Sequence, residues 1–207
     1  MKYEWKKEEK DIYLPKDKPV IINIPKMKYF CIKGIGNPNS EDFSKRVEAL
    51  YGLSYTVKMI PKGGYTPKGY FDYTVYPLEG LWDLTEYGRE LERLNKDELV
   101  YKIMIRQQKF VDNELFEKAK AIAKIKKKSL LFDEVTFEEL EDGLVVQMLH
   151  IGSYDNENAS FDKMKEFIKD NNLELKTLVH KEIYLSDPRK TSEDKLKTVL
   201  RYMVSSK

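Results

Sequence analysis

The feature that most constrains this chain is that it runs through one order of elements twice. In the first half, Val20 to Ile24 and Lys28 to Lys33 are short β-branched and aromatic runs, punctuated by Pro19, Pro25, Gly34 and Pro38, and they read as strands. Ser40 followed by Glu41 and Asp42 is a helix start, and Phe43, Val47, Leu50 and Tyr51 recur behind it at helical spacing. Pro61, Gly63 and Gly64 close that helix. Tyr70 to Tyr76 reads as a strand on its density of aromatic and β-branched residues, Asp83 to Leu94 as a charged helical segment, and Leu99 to Ile105 as a further strand.

The second half follows the same grammar. Glu114 to Lys127 reads as an amphipathic connecting helix with Leu115, Ala119, Ile122 and Ile125 inward. The lysines between Lys124 and Lys128 suit the negative end of its dipole and need no nucleic-acid partner. Leu144 to His150 is then a strand, Ser160 to Lys169 a helix, and Leu178 to Leu185 and Lys197 to Val204 are strands. Local sequence supports the repeat: Lys102 to Arg106 parallels Lys197 to Arg201, Ser40 to Phe43 parallels Ser160 to Asp162, and Tyr76 to Glu79 parallels Tyr184 to Asp187. The longer spacing of the first half falls in connections, at residues 61–69 and 81–94, where insertions cost little. The expected fold is therefore α+β, with tandem duplicated strand-helix-strand-strand units and antiparallel sheets. Residues 1–18 form an arm docked by Trp5, Ile12, Tyr13 and Leu14. Residues 19–207 form a single domain, with a first repeat at about 19–110 and a second at about 111–207. Each unit buries one sheet face under its helix, and the remaining faces are expected to form a ligand-binding groove.

Composition narrows what such a groove could serve. Thirty-seven Lys and Arg against 35 Asp and Glu leave a formal net charge of +2. That balance lacks the basic excess that drives binding to phosphate backbones, so no direct nucleic-acid partner is expected. No apolar run is long enough to cross a bilayer, and the charged N-terminus has no signal-like apolar core, so no membrane association is expected. A single cysteine, Cys31, excludes an intrachain disulfide and a Cys-rich zinc site, which points to the cytoplasm. Cys31 itself reads as a small buried hydrophobe. His150 and His180 are too far apart in sequence for a helical ligand pair, and neither nucleotide-loop pattern is present, so neither metal nor cofactor is expected.

The unexplained excess is in tyrosine, with 14 residues. Strand alternation sorts some of them. Tyr70, Asp72, Thr74 and Tyr76 share one predicted face, and His180, Glu182 and Tyr184 share another. Aligning Tyr76 with Tyr184 places the polar sets in equivalent positions, with the apolar sets under the helices and Glu182 facing the groove. On the residues alone, a glutamate on a strand is more often a solvated edge residue, and strand tyrosines more often pack than bind.

A resemblance adds weight to the functional reading. The run from His180 to Thr191, with Leu196 to Arg201, Tyr65 to Trp82 and His150 to Tyr154, resembles the GyrI-like small-molecule-binding family, and its stand-alone branch in particular. The same domain forms the effector-binding part of multidrug-responsive activators. No DNA-binding unit fits before residue 19 or after residue 204, so an activator is not expected. The resemblance implies a pocket for hydrophobic, aromatic or cationic small molecules with a buried glutamate, and Glu182 is the matching residue. Tyr70, Tyr76, Trp82, His150, Tyr154 and Tyr184 are the expected substrate-binding residues around it. The resemblance to the stand-alone branch further implies a cofactor-independent hydrolase that detoxifies cyclopropane-bearing aromatic genotoxins by ring opening, with Glu182 catalytic. The alternative is binding, sequestering or sensing of lipophilic or cationic molecules without turnover.

Overall fold

A computed structural model describes residues 2–127 and 130–207 of the chain. Lys128, the last of the lysines assigned to the end of the connecting helix, lies outside the described residues. The order is α1 (Trp5–Glu8), α2 (Lys10–Tyr13), β1 (Val20–Ile24), β2 (Met27–Ile35), α3 (Glu41–Met59), β3 (Leu78–Leu84), α4 (Glu86–Glu90), β4 (Leu99–Arg106), α5 (Asn113–Lys126), β5 (Thr136–Leu140), β6 (Gly143–Ile151), α6 (Asn158–Asp170), β7 (Leu173–Tyr184) and β8 (Lys197–Ser206). Every named strand pairing given below is antiparallel, in keeping with the expected α+β class.

The chain divides into two units. The first comprises residues 2–4, Met27–Leu78 and Leu84–Leu140. Within it, β2 is central, with β4 on one side and β5 on the other. Helix α3 starts where the sequence places it: the Ser40 hydroxyl accepts from the Phe43 amide at 3.2 Å, satisfying a donor that the first turn leaves open. Asp112 caps α5 in the same way, at 2.8 Å from the Leu115 amide. Phe30 of β2, Phe116 of α5 and Phe137 of β5 pack against one another, with centroids 5.1–5.8 Å apart, and Cys31 is fully buried beside them in sequence.

Several expectations for this unit are corrected. Residues 70–76 form no strand; Tyr73 makes only an isolated bridge to Tyr3. Their aromatic density serves side-chain packing instead: Tyr70, Phe71, Tyr73 and Phe110 form an edge-to-face cluster, with Tyr3 against Phe71. The strand begins after Pro77, at Leu78, and the expected helix at Asp83–Leu94 shrinks to the five residues of α4. On α5, Leu115, Phe116, Ala119 and Ala123 are buried while Ile125 is 85% exposed, because the helical stripe runs through the alanines rather than through the C-terminal isoleucine.

The second unit comprises Trp5–Lys26, Glu79–Asp83 and Glu141–Lys207. Its sheet has the order β1-β6-β8-β7-β3. Strand β7 starts earlier than expected, at Leu173, and slips register between Leu175 and His180. Beyond the slip, directly paired residues form rows across the sheet: Trp82, His180, Tyr202 and Val146; Gly80, Glu182, Leu200 and Met148; and Tyr184, Thr198 and His150. Opposed residues of antiparallel strands share a face, so these rows lie on one side. Helix α6 covers that side, with Phe161, Met164 and Ile168 packed on Val146, Met148, Leu200, Tyr202 and Val204. The expectation that the helix would cover the face opposite to Glu182 is thus reversed. The apolar partners that seat α6 come from β6, β8 and the start of β7, where Leu173 and Leu175 join the cluster, and the far end of β7 contributes its polar set to the same surface.

The reverse face carries a buried ionic cluster. Lys181 donates to both oxygens of Asp142 at 2.7 and 2.8 Å and lies 3.5 Å from Glu79 Oε2. Arg201 donates to Asp142 Oδ2 at 2.8 Å and to Gln147 Oε1 at 2.8 and 3.1 Å. Burial alone would raise the Asp142 carboxyl, but the two cations hold it below its ordinary value. The N-terminal segment completes the cluster. The Ile12 carbonyl accepts from Arg201 and the Asp11 carbonyl from Gln147 Nε2, while Tyr13 donates to Glu79. Trp5 and Tyr13 are buried against each other, whereas Leu14 is exposed.

Candidate functional site

Glu182 lies on β7, almost entirely buried, with both carboxylate oxygens engaged by neighbours on its own strand. Tyr184 donates its hydroxyl proton to Glu182 Oε2 at 2.7 Å, and His180 Nε2 lies 3.0 Å from Oε1. The period-2 alternation of a strand makes this possible, because residues 180, 182 and 184 project to one side. Trp82, on β3, donates its indole N–H to the Tyr184 oxygen at 2.7 Å. A relay of donors thus runs from Trp82 through Tyr184 to Glu182. Directly across from Glu182 on β3 stands Gly80, so no side chain occupies that position in the row.

A second carboxyl completes the site. Glu157 precedes the first turn of α6, buried, and its side chain interacts with Glu182. Burial first, and then the charges of Glu182 and Asp155, push its pKa up to about 10, so it holds its proton at neutral pH. The neighbouring charge of Glu182 adds to the cost of ionising Glu157 in a buried site. Burial, and then Glu182, also push the Tyr184 phenol well above its ordinary range, and the Tyr154 phenol up to about 12. Both remain proton donors. The Tyr154 ring meets that of Tyr184 edge to face at 5.9 Å, and Tyr154 is 38% exposed, at the rim of the group. Phe161 of α6 closes the inner side, with its ring 4.8 Å from that of His180.

Of the residues expected from sequence, Trp82, His150, Tyr154, Glu182 and Tyr184 fall in this unit. Trp82, Tyr154 and Tyr184 gather around Glu182, Trp82 as the partner of Tyr184. His150 is saturated: Nδ1 lies 2.9 Å from Ser160 Oγ and Nε2 3.1 Å from the Ser153 carbonyl, pinning the turn before α6 to β6. Tyr70 and Tyr76 fall in the other unit. There Tyr70 donates to the Lys58 carbonyl at 2.8 Å, and the Arg106 guanidinium sits 4.6 Å from the centre of the buried Tyr76 ring. Sequence reasoning missed Glu157 and His180 as site residues. His180 was legible through its i−2 relation to Glu182. Glu157 had no local signal, being one acidic residue among several in a polar turn. Among the described residues, no group of three or more His, Cys, Asp and Glu is disposed to hold a metal ion, and no helix is long and apolar enough to cross a membrane.

The fold is mixed, with antiparallel strand pairings, and its second unit holds two buried glutamates beside aromatic rings. The chain belongs to the GyrI-like small molecule binding domain family, whose pattern matches residues 17–204. Among solved structures it is similar to a hydrolase from Listeria innocua, at 37% identity over 99% of this chain and 100% of that one, with a TM-score of 0.90. It is equally similar to an uncharacterized conserved protein from the same organism, at 38% identity over the same shares, with a TM-score of 0.92. The C-terminal domain of EcmrR, at 14% identity over 95% of this chain and 99% of that one with a TM-score of 0.55, shares the fold. No curated protein matches the chain.

Proposed function

We propose that this protein is a cofactor-independent hydrolase that binds planar, hydrophobic or cationic aromatic molecules and opens a cyclopropane ring conjugated to a dienone. The observation that carries this reading is the pairing of Glu182 with a protonated Glu157 in a buried, aromatic setting. Such a pair accepts a proton in low dielectric and attracts a ligand cation without a metal. The similarity to a Listeria innocua protein described as a hydrolase supports turnover over binding alone.

In the proposed reaction, a water oxygen bonds to the strained methylene carbon while the carboxyl pair, led by Glu182, takes the water proton. The cyclopropane C–C bond breaks, and its electrons aromatise the dienone to a phenolate. The dienone oxygen needs a proton donor at that moment. Tyr184 has committed its proton to Glu182, so Tyr154 at the rim is the donor, its raised pKa keeping it protonated. Trp82 holds Tyr184, and Tyr184 in turn holds Glu182.

The test is the rate of ring-opened product from a duocarmycin-type cyclopropane dienone, followed by mass spectrometry. Glu182→Gln is expected to lower the rate by about 10²- to 10⁴-fold, the usual worth of a positioned general base. Undiminished turnover in that variant removes Glu182 from the mechanism. Saturable binding with intact substrate recovered from the wild type replaces hydrolysis with sequestration.

A further inference from the structure

Two of the buried polar atoms with no hydrogen-bond partner among the described residues belong to this one site: Glu157 Oε1 and Thr198 Oγ1. Thr198 is only 1% exposed and Glu157 7%. Burying a hydroxyl or carboxyl oxygen without a partner is costly, and folded proteins tolerate few such groups without a reason.

The placement of Thr198 supplies one. It sits between His150 and Tyr184 in a single row across β6, β8 and β7, so the three side chains share a face. Both outer members of the row hold the turn before α6. His150 holds the Ser153 carbonyl and the Ser160 hydroxyl, and Tyr184 receives the ring of Tyr154. The segment that leads into α6 is therefore anchored by both neighbours of Thr198 in the row. Glu157 interacts with Glu182 through its side chain, and its Oε1 is buried with no hydrogen-bond partner among the described residues.

The donor and acceptor arithmetic then singles out one guest. Thr198 offers an O–H donor, and Glu157 Oε1 offers an acceptor. A water that accepts from the first and donates to the second satisfies both, and keeps one proton and one lone pair for chemistry. Buried waters characteristically bridge groups of this kind. We infer that Thr198 is a positioning residue whose hydroxyl, with Glu157 Oε1, holds the water that attacks the bound ligand, an inference that rests on the hydrolytic reading above. On attack the water oxygen bonds to the strained carbon, its departing proton passes to the carboxyl pair, and the C–C electrons move into the ring.

The experiment has a structural and a kinetic arm. A high-resolution crystal structure of the ligand-free wild type is expected to show an ordered water within about 3.2 Å of both Thr198 Oγ1 and Glu157 Oε1. Thr198→Val, which keeps the shape and removes the hydroxyl, is expected to lose that water. It should also lose about 10- to 100-fold in kcat on the cyclopropane dienone with KM nearly unchanged, since a misplaced nucleophile costs rate rather than binding. Thr198→Ser restores the hydroxyl and should recover most of kcat, which a purely structural role for Thr198 would not predict. Absence of the water in the wild type overturns the inference, as does wild-type kcat in Thr198→Val. A wild type that opens no cyclopropane refutes the hydrolytic reading and the water's role in attack. In that case the density alone decides whether Thr198 holds a water.

Discussion

Replacing Glu157 by glutamine probes the carboxyl pair without needing a substrate. In the unfolded chain this glutamate ionises near 4.5, and in the folded protein near 10. Between those values the folded state carries a proton that the unfolded state has released. Stability from this group is therefore complete below about pH 4.5 and is lost as pH rises toward 10. The slope is about 1.4 kcal/mol per pH unit, or about 4 kcal/mol between pH 5 and pH 8. Glutamine has nearly the same shape, keeps an N–H to offer Glu182, and does not titrate. The variant should match the wild type to within about 1 kcal/mol at pH 5 and exceed it by several kcal/mol at pH 8. Urea unfolding of both proteins at pH 5, 6, 7 and 8, extrapolated to water, measures the difference directly. Parallel pH dependences would refute the reasoning, because they would mean that Glu157 releases its proton in the folded state as readily as in the unfolded one.

Two further substitutions separate the faces of the sheet. Tyr184→Phe removes the donor to Glu182 and the acceptor of the Trp82 N–H at once. It should destabilise by about 1–3 kcal/mol and shift tryptophan emission, and an unchanged spectrum would place Trp82 elsewhere. On the reverse face, Lys181→Met strips a fully buried cation from Asp142 and Glu79. The expected loss in urea stability is about 3–5 kcal/mol, and a change below about 1 kcal/mol would show that Arg201 alone compensates Asp142.

The elements legible in sequence were those whose signals are local. Ser40 and the acidic pair behind it start α3 through one hydrogen bond within one turn. Strands β2, β4, β6 and β8 are apolar runs between turn residues, and such runs pair wherever they lie. The error at residues 70–76 has an equally plain origin. Aromatic residues are frequent in strands because they pack well on a pleated surface, but a ring cluster satisfies the same preference without a ladder. Strand β5 went unread because Glu138 and Glu139 break its apolar pattern, and Glu138 lies on the sheet as the ion-pair partner of Lys102 at 2.8 Å.

The candidate site divides along the same line. By itself the sequence determined that Glu182, His180 and Tyr184 project together, since alternation along one strand is a property of the backbone. It also determined the family, through runs of residues spread over most of the chain. Which face α6 covers was decided only in tertiary structure, because both faces of β7 around Glu182 carry polar residues and most of the apolar surface that seats the helix comes from β6 and β8, with Leu173 and Leu175 from the start of β7. The same holds for Glu157 and Thr198. Their roles depend on which strand lies beside β7 and on how a turn is pinned across it, and no pattern within a few residues of either one encodes that.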